Sequence, residues 1–193
     1  KNWSISILLA GAMLFGLQSY SSTASLKFAQ VSDAHFYTGA NNTTYKMVGE
    51  SPKLLDDVIE QINETPNVSF VMFTGDQIDK PFEKELSAFL PHTEKLNVPW
   101  YFAFGNHDTM YGGYLTPRVY MDLVNNYNKN YKFEKSYYSF VPQKGYKAIV
   151  LDTIIRDRLT ANGKLGDEQL QWLDNELANS KKDTVLIFMH VPI

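Results

Sequence analysis

From Leu26 onward, short apolar runs alternate with stretches in which apolar residues recur every three or four positions. The short runs predict β-strands over 26–31, 68–73, 100–104, 146–151 and 184–189. The longer periodicity predicts helices. One opens at Ser51 and Pro52, as cap and first-turn proline, and places Leu54, Leu55, Val58, Ile59 and Ile62 on one face before Pro66 closes it. A second runs from Glu83 to about Asn97, with Pro91 predicted to break or restart it, because proline has no N–H for the interior ladder. A short third starts at Thr116-Pro117 and runs toward Asn125, and a fourth covers 167–179 with Leu170, Leu173 and Leu177 in register. Residues 127–140, rich in Asn, Lys and Tyr, read as loop plus an edge strand whose aromatics serve packing. Strands alternating with helices predict an α/β architecture with a mainly parallel first sheet.

The polar residues just beyond these strands carry the chemistry. Asp33-Ala34-His35 follows the first strand, Gly75-Asp76-Gln77-Ile78-Asp79 the second, Gly105-Asn106-His107-Asp108 the third, and His190 the last. In an open α/β sheet, ligands collect outside the carboxyl ends of the strands, which puts these four stretches on one rim. Hard carboxylate and amide oxygens mixed with imidazole nitrogen suit Mn, Fe or Zn. Asp76, behind a buried strand and a glycine, is costly to desolvate without a partner. His190 alone reads as an ordinary hydrogen-bonded histidine; with the other three stretches it reads as a ligand. Gly75 and Gly105 allow a sharp strand exit and a close backbone approach to a pocket.

Composition narrows the picture. With 193 residues, 44% hydrophobic and 14% aromatic, the chain can bury one core, so residues 25–193 are expected to form one domain. A net charge of −3 argues against a nucleic-acid partner but not against a small phosphorylated substrate. With no cysteine, disulfides and thiolate metal sites are excluded. Residues 1–24 are a different object. Lys1, an apolar run over 5–17, and small residues at Ser22 and Ala24 predict a signal peptide cleaved after Ala24, hence an exported protein with no stable membrane span. An uncleaved anchor is the alternative, against which the run is short of the ~20 residues that span a bilayer.

The set D-x-H, G-D-x-x-D, G-N-H-D and H-x-P resembles the calcineurin-like metallophosphoesterase superfamily, over residues 26–193. The resemblance implies an α/β/β/α two-sheet sandwich flanked by helices and a centre of two divalent metal ions. It implies that Asp33 and His35 bind one ion, that Asp76 bridges, and that Asn106 and His190 bind the other. His107 would stabilise the transferring phosphoryl group or protonate the leaving oxygen, with Asp108 orienting its ring and Asp79 outside the ligand set. For Asp79 and Asp108, plain capping and loop hydrogen bonds are an equal alternative. The implied activity is hydrolysis of small phosphomonoesters or phosphodiesters by a metal-activated water. A nuclease of the same superfamily and a non-catalytic metal-stabilised binding protein are the rivals.

The chain also departs from the family pattern. A Gly-His-x-His element, which adds a histidine to each ion, is absent, so a piece of a longer protein is expected, with the C-terminal part of the second sheet missing. His92, the one histidine left unassigned, reads as a solvated surface residue. Lys80-Pro81 stands where the protein Ser/Thr phosphatases of the superfamily carry Arg-Gly, and Asp108 where they carry Glu. Residues 137–140, 149–152 and 165–173 resemble instead the bacterial cyclic-nucleotide phosphodiesterases and purple-acid-phosphatase-like relatives, without an assignable metal-binding tyrosine.

Overall fold

The computed structural model describes residues 25–39, 41–109, 112–158, 160 and 162–193; the predicted signal peptide lies outside them. Strands β1 (Ala29–Val31), β2 (Val71–Thr74) and β3 (Trp100–Ala103) form one parallel sheet in that order. Between them run helices α1 (Ser51–Glu64) and α2 (Glu83–Thr93), and after β3 comes α3 (Pro117–Tyr127). The second sheet holds β4 (Tyr138–Gln143), antiparallel to β5 (Tyr146–Val150), with β6 (Thr184–Phe188) parallel on the other side of β5. Helix α4 (Asp167–Asn179) makes the crossover from β5 to β6. Among the described residues no helix is long and apolar enough to cross a membrane.

The layers follow from side-chain alternation. Strand β2 is buried on both faces, so successive residues point to opposite layers. Phe73 meets Phe89 of α2 edge-on at 5.6 Å, on the helical side. Phe70, just before β2, faces the other way and meets Phe140 of β4 at 5.3 Å and Phe188 of β6 at 6.3 Å. Tyr101 of β3 lies flat on Phe140, with centroids 3.5 Å apart and planes 9° from parallel. The sheets therefore meet through an aromatic seam, while Leu55, Ile59 and Ile62 of α1 close the core on the helical side. Beyond the second sheet, Trp172 and Leu173 of α4 pack on Ile149 and Leu151. The result is helices, sheet, sheet, helix, the α/β/β/α sandwich expected.

Where boundaries differ, local chemistry explains it. Strand β1 starts at Ala29 rather than 26, although Lys27 O already accepts from Ser69 N–H at 2.8 Å ahead of the Ala29 N–H bond to Phe70 O at 3.1 Å. A 3₁₀ turn over Val48–Glu50 precedes α1, so Ser51 is the first helical residue and not the cap. Its hydroxyl donates to Val48 O and accepts from Tyr37 N–H. Pro91 does not break α2. It sits in the last turn, two residues before the helix ends at Thr93, where it removes the N–H that would reach the Ser87 carbonyl without ending the helix. His92 is no free surface residue: it is half-buried, with Nδ1 2.6 Å from Asp56 Oδ1. The aromatics of 127–140 do pack, with Phe133 and Tyr138 in the main core.

Tyr138 also satisfies an edge. Its hydroxyl donates to Phe102 O at 2.6 Å and accepts from Phe102 N–H at 2.9 Å, covering both backbone groups of a β3 residue that, among the described residues, has no strand partner on that side. Tyr138→Phe leaves both groups buried and unpaired, and should destabilise the fold by about 1–3 kcal/mol. A urea-denaturation midpoint that does not fall relative to the parent chain would refute this.

Candidate metal centre

The rim is built where two loops continue the parallel pairing beyond β1 and β2. Asp33 N–H bonds Gly75 O at 3.1 Å, His35 N–H bonds Asp76 O at 2.9 Å, and Phe36 N–H bonds Gln77 O at 3.0 Å. These bonds hold Asp33, His35 and Asp76 in the left-handed region, at φ 57°, 41° and 52°. Each such non-glycine conformation costs of order 1–3 kcal/mol and persists only where its surroundings enforce it. Gly75, at φ 98°, and Gly105 supply the close approaches. A Cβ at Gly75 would lie 2.4 Å from the His190 ring, and one at Gly105 only 2.0 Å from the Asp76 backbone nitrogen. Both glycines are required by neighbours from distant parts of the chain.

Asp76 stands at the centre of the cluster. Its Oδ2 is 3.6 Å from His35 Nε2 and its Oδ1 is 3.5 Å from His190 Nε2. The His107 backbone N–H donates to Oδ1 at 2.8 Å. His35 Nε2 also lies 3.8 Å from Asp33 Oδ1. Two groups of ligand atoms gather within 4.8 Å of one another: Asp33, Asp76 and His190, and beside them His35, Asp79 and His107. Three of the four motifs' leading residues are thus brought together directly. Asn106, half-buried, is placed by its neighbours, since Gly105 packs on Asp76 and His107 bonds to it.

Two of the imidazoles are orientated by backbone acceptors. His190 Nδ1 donates to Thr74 O at 2.8 Å, which turns Nε2 toward Asp76. His107 Nδ1 donates to Asp79 O at 2.7 Å. His35 Nδ1 lies 3.0 Å from Asp79 Oδ1, with the Lys46 ammonium 3.0 Å from that same oxygen. Such acceptors fix which ring nitrogen stays free as a ligand.

Asp108 departs from expectation. It does not orient the His107 ring; Asp79 does. Its carboxylate is fully buried and accepts the backbone N–H groups of Gly105 at 2.8 Å and Ile78 at 3.2 Å, so it braces the two motif loops against each other. Burial, reinforced by the Asp76 charge, pushes its acid dissociation up to about 8. Asp76 goes the other way. Burial alone would raise it, but the bonds from His190 and the His107 N–H hold it below the usual carboxylate range. The Asp76 bond in turn raises His190 to about 9, outweighing its desolvation. Burial and the Lys46 charge lower His35.

Lys46 and Thr74 went unseen in the sequence. Lys46 stands alone in a polar loop, and Thr74 acts through its carbonyl, which no side-chain pattern reports.

A model of the calcineurin-like phosphoesterase family matches residues 26–193, the whole of the two-sheet sandwich. The chain belongs to the calcineurin-like phosphoesterase family. It is 27% identical over 173 residues to a probable glycerophosphodiester phosphodiesterase of Arcobacter nitrofigilis, covering 84% of this chain and 56% of that one. It is 24% identical over 222 residues to the tartrate-resistant acid phosphatase type 5 of Oryctolagus cuniculus, covering 99% of this chain and 63% of the relative. The chain therefore spans somewhat over half the length of these curated relatives. A dimetal phosphatase from Danio rerio shares the fold, with a TM-score of 0.65 at 19% identity over 87% of this chain and 70% of that one.

The donor set fits divalent ions, since carboxylates and imidazoles with acceptor-fixed tautomers converge within ligand distance of a common space. Gly105→Ala drives a methyl into Asp76 and should lower divalent-metal affinity about 10–100-fold. Gly166→Ala, where the added Cβ meets nothing within 4 Å, is the control. Equal affinities in a calorimetric titration of the two variants would exclude this role for Gly105.

Proposed function

We propose that this chain carries the hydrolytic centre of a metal-dependent phosphoesterase acting on small phosphomonoesters or phosphodiesters. One observation carries the reading: the two oxygens of Asp76 face different imidazoles, His35 on one side and His190 on the other, at 3.6 and 3.5 Å. A carboxylate so placed can share itself between two cations. Asp33 and His35 would hold one, and Asn106 and His190 the other. Two carboxylates, an amide oxygen and two imidazoles favour Mn, Fe or Zn over the oxygen-only preference of Mg or Ca. The names of the curated relatives, a phosphodiesterase and an acid phosphatase, support the reaction class.

When bound, the ions would supply positive charge to the phosphate oxygens and acidify a water molecule. The chain's own contribution starts with His107. Because Asp79 O can only accept, Nδ1 of His107 carries the proton that bonds to it, which leaves Nε2 as the nitrogen that takes up a second proton, and the imidazolium so formed can give that proton to a leaving oxygen. Lys46, beside Asp79 and on the His107 side, adds a cation where a phosphate dianion would need one. Asp108 maintains the loop that carries His107.

Stripping divalent ions with a chelator should abolish hydrolysis of p-nitrophenyl phosphate and bis(p-nitrophenyl) phosphate, and returning Mn, Fe or Zn should restore it. Metal bound with no hydrolysis of either ester would instead favour a binding protein. His107→Ala should lower kcat by about 10²–10⁴-fold with metal content per chain unchanged. A variant that keeps full turnover would remove His107 from the chemistry.

We also propose export, from the charged start and apolar run over residues 1–24. N-terminal sequencing of the protein recovered outside the cytoplasm should begin at Ser25; an unprocessed N-terminus retained on membranes would contradict cleavage.

A further inference from the structure

A cavity of about 450 Å³ opens against Asp79 and His107, and much of its wall has no part in the chemistry above. That volume lies within the range of small-molecule sites. Lys46 stands at the inner end with Asp79, and Tyr45, Phe82 and Tyr114 are the aromatic members of a wall that also holds Thr43 and Lys80. Tyr45 and Tyr114 are 86% and 80% exposed, and Phe82 is 38% exposed. Three large rings held in water at one opening gain little for the fold itself, and such patches mark places of contact.

Two of the three rings are held against each other. Phe82 and Tyr114 stack with centroids 5.8 Å apart and planes 21° from parallel. Beneath them, Leu115 N–H bonds Pro81 O at 3.1 Å, tying the two segments together, and the Leu115 side chain is anchored in the core. The cavity is therefore cationic and hydrogen-bonding at the end next to the metal centre, and aromatic at the end away from it. A phosphoester has the same polarity, with an anionic head and an organic tail.

We propose that this cavity seats the organic group of the substrate, and that the group it takes is a flat aromatic ring system. The proposal rests on the phosphoesterase reading and specifies the substrate class of that same site. Phosphate would lie at the inner end by Lys46 and His107, with the ring plane against Tyr45 and the Phe82–Tyr114 pair. A saturated ring of equal size gains only from leaving water. A flat one gains in addition from offset stacking on faces already aligned.

The test compares 2-naphthylmethyl phosphate with its saturated counterpart of the same carbon skeleton, decahydronaphthalen-2-ylmethyl phosphate. Both release a primary alkoxide, so a difference in rate reports on the seat and not on the leaving group. The metal-loaded protein should show a kcat/KM about 10-fold or more higher for the naphthyl ester, and calorimetry should show a matching preference for 2-naphthylmethylphosphonate over its decahydronaphthyl counterpart. Tyr45→Leu and Tyr114→Leu keep apolar area but remove a ring; in each the preference should shrink toward unity with metal content unchanged. Equal kcat/KM values in the unaltered protein would overturn the aromatic seat and leave the phosphoesterase reading standing. A preference that survives both substitutions would also overturn it. If neither ester is hydrolysed, the phosphoesterase reading fails first, and equal binding of the two phosphonates then removes the seat as well.

Discussion

Asp76 is 3% exposed, yet carries a carboxylate that its surroundings keep ionised. Isolated burial of such a charge would be prohibitive, so everything around it serves to compensate. His190 comes in from the second sheet, the His107 N–H from the loop after β3, and His35 from the loop after β1. The glycines at 75 and 105 exist because these partners must come closer than a Cβ allows. Remove the buried charge and there is no reason for left-handed backbone at Asp33 and His35, or for a fully buried Asp108 bracing the next loop. The rim is organised around one oxygen pair.

That arrangement requires the two sheets to keep their relative position. The partners of Asp76 come from both, so a slip of one sheet against the other would pull His190 away. The aromatic seam of Phe70, Tyr101, Phe140 and Phe188 resists this, since stacked and edge-on rings have fewer equivalent placements than aliphatic side chains. Tyr138 adds a directional lock by hydrogen bonding across to the edge of β3. Packing and electrostatics are coupled here through geometry: rings set the sheet offset to which the charged cluster is matched.

The parts of this organisation legible in the sequence were those with local signatures. Alternation of apolar runs placed the strands within a few residues, and α4 was found at its observed bounds, because period and punctuation are local properties. Ligand types just past strand ends pointed to Asp33, His35, Asp76 and His107, since topology sends the strand ends of the parallel sheet to one side, and to His190 past β6 of the second sheet. What escaped depended on partners distant in sequence. Asp108 looked like a histidine's companion by adjacency, yet its oxygens turn to Gly105 and Ile78. His92 looked solvated until α1 brought Asp56 beside it. Lys46 had no pattern to betray it. Side-chain direction, unlike strand position, is decided by the assembled fold.

His190 takes its orientation from the Thr74 carbonyl, 116 positions earlier in the chain. During synthesis the first sheet and its loops emerge well before the residue that completes the cluster. The early segment therefore holds carboxylates in place with one counter-charge still to come, and β6 must find its parallel slot beside β5 before the histidine can dock. Parallel, long-range pairing is a slow step in folding. Completion of this rim is thus a late event of maturation, because the His190 side of Asp76 stays open until the second sheet closes.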